Sequence, residues 1–206
     1  MTKPTSGGNH KRSELATEAH VNRRALLSSF ALCGSAAALC CTPSTAKAGD
    51  AGEEGPVVKP GDHFARIAEG VVPVAIRLAD LPPGAAIMDV LPLDPKTGEV
   101  RDKSRLNAVN LVRVKDVPSG SPLAETQGIM AYSAICTHKA CKVNSWAPEQ
   151  NRWRCFCHMS EFDVLANGAV VDGPATDPLP SIPLAIDAEG IITATAGFTS
   201  TPGSSG

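Results

Sequence analysis

Aromatic side chains and net charge are both scarce in this chain of 206 residues. Phe, Trp and Tyr together make up 4% of the sequence, with a single Tyr. The formal net charge is −2, so the composition gives no sign of the basic surface that binds nucleic acid. An internal repeat and a long amphipathic helix pattern are also missing, which argues against a solenoid and a helix bundle.

Glycine and proline are frequent, at 18 and 17 residues. Such residues make turns, and here they separate short runs that are rich in apolar and β-branched side chains. These runs are predicted to be strands at 71–78, 86–93, 107–115, 129–135, 169–171, 184–187 and 191–195. The alternation over 107–115, with apolar Val109 and Leu111 and polar Asn110 and Arg113, predicts a half-buried strand. The sequence therefore predicts an all-β protein.

Residues 1–48 have the pattern of an export signal. A polar segment ends in Arg23-Arg24, an apolar run of about 17 residues follows, and Ala46-Lys47-Ala48 matches a cleavage site. Paired arginines indicate the twin-arginine route, which exports folded proteins and so suits a cofactor inserted before export. We therefore expect a periplasmic protein that is cleaved after Ala48. It would contact the membrane only if the apolar run, at the lower limit for a span, stayed attached.

Four of the seven cysteines and two of the five histidines lie between positions 136 and 158. They form the pattern C-x-H-x2-C, thirteen other residues, and then C-x-C-H. The six residues are Cys136, His138, Cys141, Cys155, Cys157 and His158. Six soft ligands are more than one structural zinc ion takes, because such an ion binds four.

Each half of the pattern offers one thiolate and one imidazole from a single loop. Two such loops can hold a two-iron cluster, with two thiolates on one iron and two imidazoles on the other. The predicted ligands are then Cys136, His138, Cys155 and His158. Cys141 and Cys157 remain, one in each loop, and are free to form a disulfide in an oxidising compartment. A zinc-stabilised interaction module is the alternative from a different class.

The pattern resembles the Rieske family of [2Fe–2S] proteins, whose two ligand loops have the sequences C-T-H-x-G-C and C-P-C-H-G-S. The resemblance covers about residues 71–197 and includes a third, proline-containing loop at 170–180. It implies one [2Fe–2S] cluster per chain and an antiparallel β-sandwich or barrel base with a cluster-binding subdomain inserted at about 133–178. We expect the domain over 65–198, after a linker at 49–64 and before a flexible tail at 199–206.

Three loop residues depart from the family pattern. Ala140 and Met159 stand where the family usually has Gly, and Phe156 stands where it usually has Pro. Glycine is used where φ is positive or where backbones crowd. Met159 therefore predicts that the second loop has a different shape in this chain.

The resemblance also implies roles for residues around the cluster. In quinol-oxidising Rieske proteins, a serine and a tyrosine hydroxyl donate hydrogen bonds to the cluster sulfurs. Ser160 occupies the serine position, and a loop-capping role is its alternative. Phe162 occupies the tyrosine position without a hydroxyl, which predicts a lower reduction potential. Gly173 and Pro174 belong to the third loop, which is expected to cover the cluster.

Within the family, the segments 131–138 and 157–163 resemble the small subunits of arsenite oxidases. This implies an electron carrier without substrate chemistry of its own, a larger oxidoreductase subunit that contains molybdopterin, and a cytochrome c-type acceptor. The Rieske subunit of a quinol:cytochrome c reductase is the main alternative. It predicts a membrane anchor and a Tyr in place of Phe162.

Overall fold

The computed structural model describes residues 57–68, 70 and 72–203. The predicted signal peptide at 1–48 and the first half of the predicted linker, 49–56, lie outside the described residues. Over the described part, eleven short strands and four single-turn 3₁₀ helices confirm the all-β prediction. The strands are β1 (His63–Ala65), β2 (Ala86–Leu93), β3 (Val109–Arg113), β4 (Ile129–Ser133), β5 (Ser145–Ala147), β6 (Arg152–Cys155), β7 (Ser160–Asp163), β8 (Ala169–Asp172), β9 (Ser181–Ile182), β10 (Leu184–Ile186) and β11 (Ile192–Ala194).

The 3₁₀ helices are Leu78–Asp80, Arg105–Asn107, Pro122–Ala124 and Pro148–Gln150. Among the described residues, none of the helices has the length and apolar character needed to span a bilayer.

The strands form two antiparallel sheets. The larger sheet has the order β10-β11-β1-β2-β3-β4-β9, and the smaller has the order β5-β6-β7-β8. Only Pro183 separates β9 from β10 in the chain, so the two end strands of the larger sheet lie close and the sheet nearly closes into a barrel. The smaller sheet lies in the chain between β4 and β9, which agrees with the predicted insertion of a subdomain into the base.

Strands β3 and β4 contribute to two hydrophobic cores. Val109, Leu111 and Ile129 pack in the core of the base, whereas Val112 and Tyr132 pack with the smaller sheet around Trp153. The strands are therefore buried on both faces. Asn110, which the alternation placed on a polar face, is fully buried. The predicted strand is present as β3, but its predicted half burial is wrong, because a sheet covered on both sides has no solvent face.

The predicted strand at 71–78 is not formed over its described residues. Ala75 and Arg77 make isolated bridges only, and Val72 is 80% exposed. β-Branched residues favour a strand only where a neighbouring strand and a packing surface are available. At this position the chain instead turns into the 3₁₀ helix at 78–80.

The ends of the domain are more ordered than the sequence predicts. His63 and Phe64, placed in the linker, form β1 between β2 and β11, and Phe64 is fully buried. Of the residues placed in the flexible tail, Thr199 pairs with β9, because its N–H donates to the Ser181 carbonyl, and Gly203 is buried. Short segments held by long-range backbone pairing give no periodic sequence pattern, which is why the predicted linker and tail include these residues.

A buried ion pair fixes the start of the domain to the turn after β2. The Arg101 guanidinium donates two hydrogen bonds to the Asp62 carboxylate, at 2.7 and 2.8 Å, and the two side chains are 11% and 3% exposed. Asp62 also accepts the Lys59 N–H. Removal of Asp62 would leave the Arg101 guanidinium with only its longer contact to Asp94, at 3.4 Å, in a poorly solvated place.

We predict that Asp62→Ala lowers the free energy of unfolding by about 3 kcal/mol, because one member of a buried pair is lost. Urea denaturation followed by far-ultraviolet circular dichroism measures the change. The exposed pair of Lys142 and Asp89, at 60% and 50% exposure, provides the control. Lys142→Ala should change stability by no more than about 1 kcal/mol, and an equal loss in both variants would contradict the prediction.

Candidate metal centre

The first cysteine–histidine loop follows β4 and is closed by backbone hydrogen bonds. The Cys136 N–H donates to the Cys141 carbonyl at 2.8 Å, and the Ala140 N–H donates to the Cys136 carbonyl at 3.0 Å. An isolated bridge between Ile135 and Lys142 joins the two ends of the loop. The loop is therefore a tight turn that leaves His138 at its tip and draws Cys136 into the interior.

The second loop joins β6 to β7 in the same way. Cys155 and Ser160 are opposite each other in the strand ladder, and the Met159 N–H donates to the Cys155 carbonyl at 2.9 Å. The backbone N–H groups of Cys157 and His158 act on the Cys155 thiol as hydrogen-bond donors and lower its pKa. Such donors stabilise a thiolate, which is the form that binds metal.

The fold brings all six predicted residues to one place. A disulfide joins Cys141 to Cys157 across the two loops, as predicted, with 6.3 Å between the Cα atoms. The rings of His138 and His158 lie edge to face, with 4.7 Å between their centroids. The other two cysteines, Cys136 and Cys155, are buried and form no disulfide.

Burial sets the protonation of these groups. Burial raises the pKa of the Cys155 thiol, although the two backbone N–H donors lower it. The neighbouring Cys136 raises it further. The pKa of His138 is lowered, chiefly by desolvation and also by His158 and Lys139. The neutral imidazole that this favours is the metal-binding form. The Cys155 thiol, in contrast, needs the charge of a metal to stay deprotonated.

Two observations show that these side chains suit a metal group. The Nδ1 atom of His138 is buried and has no hydrogen-bond partner, which is costly unless something else binds it. The nearest potential ligand atoms of Cys141, Cys157 and His158 lie within 4.8 Å of one another, but the disulfide leaves only His158 able to bind. Two thiols and two imidazoles therefore remain available, a set that suits either a [2Fe–2S] cluster or zinc.

Ser160 and Thr137 hold the third loop against the two others. The buried Ser160 hydroxyl accepts the Ala175 N–H at 3.2 Å, and the Thr137 hydroxyl donates to the Asp177 carbonyl at 2.8 Å. The loop-capping role weighed for Ser160 is thus present, and its own hydrogen remains available to donate elsewhere. Thr137 was missed, because its partner lies 40 residues away and leaves no local signal.

Phe162 is fully buried and lies opposite Trp153 in the β6–β7 ladder. Gly173 turns the chain with φ +83°, and a Cβ atom there would lie 2.5 Å from Met159 O and from Ser160 Cα. The third loop therefore contacts the second directly at Gly173. Pro174, the next residue, is exposed at the surface of this loop.

Ala140 and Met159 keep the backbone conformation that favours glycine. Their φ angles are +53° and +64°, in the left-handed region. Met159 predicted a second loop of different shape, but the backbone at this residue keeps the left-handed conformation that favours glycine. Each side chain instead costs about 1–2 kcal/mol of backbone strain. Met159 and Phe156 are more than half exposed, so this chain presents two large apolar side chains beside His158.

We predict that Gly173→Ala reduces cofactor content and lowers the free energy of unfolding by more than about 2 kcal/mol. The loss combines the backbone strain of an alanine at positive φ with the clash of its Cβ atom against the second loop. Metal analysis and thermal denaturation of the purified protein measure both effects. Gly61→Ala is the matched control, because Gly61 also has positive φ but no atom within 4 Å of a Cβ. If the two variants lose equal stability and cofactor, the contact between the loops is not important.

Comparison with known proteins identifies the domain. A family model for the Rieske [2Fe–2S] domain matches residues 91–183. The cytochrome bc1 complex Rieske iron–sulfur subunit of Corynebacterium diphtheriae is 37% identical over 100 residues, which are 45% of this chain and 24% of that protein. The putative respiratory nitrate reductase subunit Rieske of Haloferax mediterranei is 38% identical over 79 residues, which are 38% of this chain and 35% of that protein.

Among solved structures, the plasma membrane Rieske protein PetC3 of Synechocystis is 28% identical and aligns with 58% of this chain and 95% of that one, at a TM-score of 0.39. The chain spans only about a quarter of the length of the corynebacterial relative that it matches.

The family match includes both cysteine–histidine loops and the third loop that packs on them. This match decides between the two metal groups that the donor set allows. The expected family is confirmed: the chain carries a Rieske [2Fe–2S] domain, and its cofactor is a [2Fe–2S] cluster.

Proposed function

We propose that this chain is the one-electron carrier subunit of an exported oxidoreductase, with its cluster bound by Cys136, His138, Cys155 and His158. The observation that carries the proposal is the placement of these four side chains at the junction of two cross-linked loops. The two thiols are buried and free of other bonds, and His158 is exposed.

The chemistry follows from the two buried thiols and the exposed imidazole of His158. A [2Fe–2S] cluster with two imidazole ligands supplies one-electron transfer at a higher potential than a cluster with four thiolates. The protein keeps water from the two cysteines by burial and directs two backbone N–H groups at Cys155. His158 lies at the surface, where a docked redox partner would approach most closely.

We assign the chain to the periplasm and to a larger catalytic subunit like that of arsenite oxidases, which contain molybdopterin, with a cytochrome c-type acceptor. The paired arginines before the apolar run support export. The printed names of the relatives support membership of a larger complex, since one is a subunit of a cytochrome bc1 complex and another of a respiratory nitrate reductase.

A Rieske subunit of a quinol:cytochrome c reductase is the second candidate. The 37% identity with the corynebacterial bc1 subunit favours it, although the similarity covers only 24% of that protein. Phe162 argues against it, because the quinol-oxidising members of the family have a tyrosine hydroxyl at this position. The reduction potential therefore separates the two candidates.

We expect two iron atoms per chain and, after reduction with dithionite, a rhombic electron paramagnetic resonance spectrum with the low average g value of a histidine-ligated cluster. The purified full chain is used. His158→Cys should give two irons with a spectrum closer to that of a four-cysteine cluster, whereas His63→Cys, in β1, should leave the spectrum unchanged. A colourless protein that holds one zinc and gives no signal after cluster reconstitution contradicts the assignment.

We predict that Phe162→Tyr raises the midpoint potential by about 40 mV. A hydrogen bond worth about 1 kcal/mol more in the reduced state corresponds to that shift in a one-electron couple. A redox titration followed by electron paramagnetic resonance measures it.

Phe64→Tyr is the control, because Phe64 is equally buried but lies in β1 of the base. Its potential should equal that of the wild type. A Phe162→Tyr protein that folds and retains its cluster at an unchanged or lower potential would show that the missing hydroxyl does not set the potential.

A further inference from the structure

Asn110 is a polar residue in the middle of a strand that is buried on both faces. It lies in β3 opposite Tyr132 of β4, and its neighbours Val109 and Leu111 belong to the hydrophobic core of the base. The side chain is fully buried. A buried amide costs free energy unless its donor and acceptor are both satisfied, so its bonding partners indicate its role.

Both ends of the Asn110 amide bind main-chain groups of other segments. Its Oδ1 atom accepts the Asp89 N–H at 3.1 Å, and its Nδ2 group donates to the Val143 carbonyl at 2.8 Å. Asp89 lies in the bulge of β2, where the register with β3 shifts, and has φ +56°. Val143 is the second residue after Cys141, at the exit of the first ligand loop. The amide therefore joins the base to that loop.

An ion pair closes the connection on the outside. The Lys142 ammonium donates to the Asp89 carboxylate at 2.9 Å. Lys142 and Val143 are adjacent, and Asp89 contacts both the amide and the lysine. The bulge of β2, the side chain of Asn110 and the exit of the loop thus form a closed ring of contacts.

The exit of the loop is in turn bonded to its entrance. The Val143 N–H donates to the Ala134 carbonyl at 2.8 Å, and Lys142 bridges to Ile135. Cys136, which follows Ile135 in the chain, donates its N–H to the Cys141 carbonyl. A shift of Val143 therefore moves the backbone that carries Cys136 and His138.

We propose that Asn110 is a positioning residue for the [2Fe–2S] centre, which fixes the first ligand loop to the bulge at Asp89 through its side-chain amide. This inference depends on the ligand assignment proposed above. Asn110 itself is not a ligand. It fixes the position and orientation of the first ligand loop relative to the base. It thereby also fixes where the ligands of this loop lie relative to the ligands of the second loop.

Asn107 offers a matched control within the same chain. It is also a fully buried asparagine, its Oδ1 accepts the Val57 N–H at 2.8 Å, and its Nδ2 donates to the Arg101 carbonyl at 3.0 Å. These bonds hold the start of the domain and the turn after β2. Both asparagines thus make one donated and one accepted bond to the main chain, but only Asn110 is bonded to the ligand loop.

The test compares Asn110→Leu and Asn107→Leu in the full, cluster-loaded chain. Both variants should lose stability in urea, because buried main-chain groups lose their partners. Only Asn110→Leu should shift the g values and broaden the spectrum of the reduced cluster, change the midpoint potential and release iron to a chelator about tenfold faster. A folded Asn110→Leu protein that binds no iron, beside a loaded Asn107→Leu protein, also supports the inference.

The inference is overturned if Asn110→Leu retains the spectrum, potential and iron-release rate of the wild type. It is also overturned if both variants change these properties equally, because general destabilisation then explains the effect. The wild-type spectrum is recorded in the same series. A wild type without the rhombic signal contradicts the proposed ligands, whereas a normal wild type with an unaltered Asn110→Leu contradicts only the positioning role.

If Asn110→Leu does not fold, Lys142→Gln opens the same ring at its exposed side. Lys139→Gln is its control, because it removes the same charge from the same loop, next to His138, without breaking the contact to Asp89. The g values and line widths should change more in Lys142→Gln than in Lys139→Gln. An equal or smaller change in Lys142→Gln overturns the proposal, since the ring of contacts then has no effect on the geometry of the centre.

Discussion

The disulfide between Cys141 and Cys157 is the constraint on which the metal centre depends. Each loop alone offers one thiol and one imidazole, and neither can complete a site. The cross-link holds the two loops together across 16 residues of sequence. Closing a loop of this length removes conformational freedom from the unfolded chain that is worth about 3 kcal/mol in the chain-entropy model. The cross-link therefore stabilises the folded arrangement in which the four ligands lie together.

The second constraint is that the loops must be held against the base as well as against each other. Strands β3 and β4 pack on the core of the barrel with some side chains and on the smaller sheet with others. The hydroxyl of Tyr132 donates to the Val164 carbonyl at 2.8 Å, and burial raises the pKa of this phenol well above its ordinary value. Apolar packing thus joins the two parts, while single polar bonds determine how they are aligned.

Local sequence patterns predicted the cofactor but not the supports around it. The motif fixed the two loops and the cross-link, because C-x-H-x2-C and C-x-C-H are short patterns in which spacing and chemistry coincide. Strand β2 was also predicted with its correct bounds. The burial of Asn110, the pairing of β1 and the packing of Gly203 were missed. Each depends on residues far away in the chain, and a polar or small residue within an apolar run gives no sign of such a partner.

The strain at Ala140 and Met159 shows how the supports and the site are related. A left-handed backbone at a residue other than glycine persists only where the surrounding structure holds it. At Ala140 the hydrogen bond from Arg105 to its carbonyl provides this support. At Met159, the N–H bond to Cys155 and the close approach of Gly173 do so. Glycine would relieve the strain at both positions but would leave the loops freer in the unfolded chain. The rigidity of the ligand loops in this protein therefore comes from contacts made by the base and the third loop, and only in part from the loops themselves.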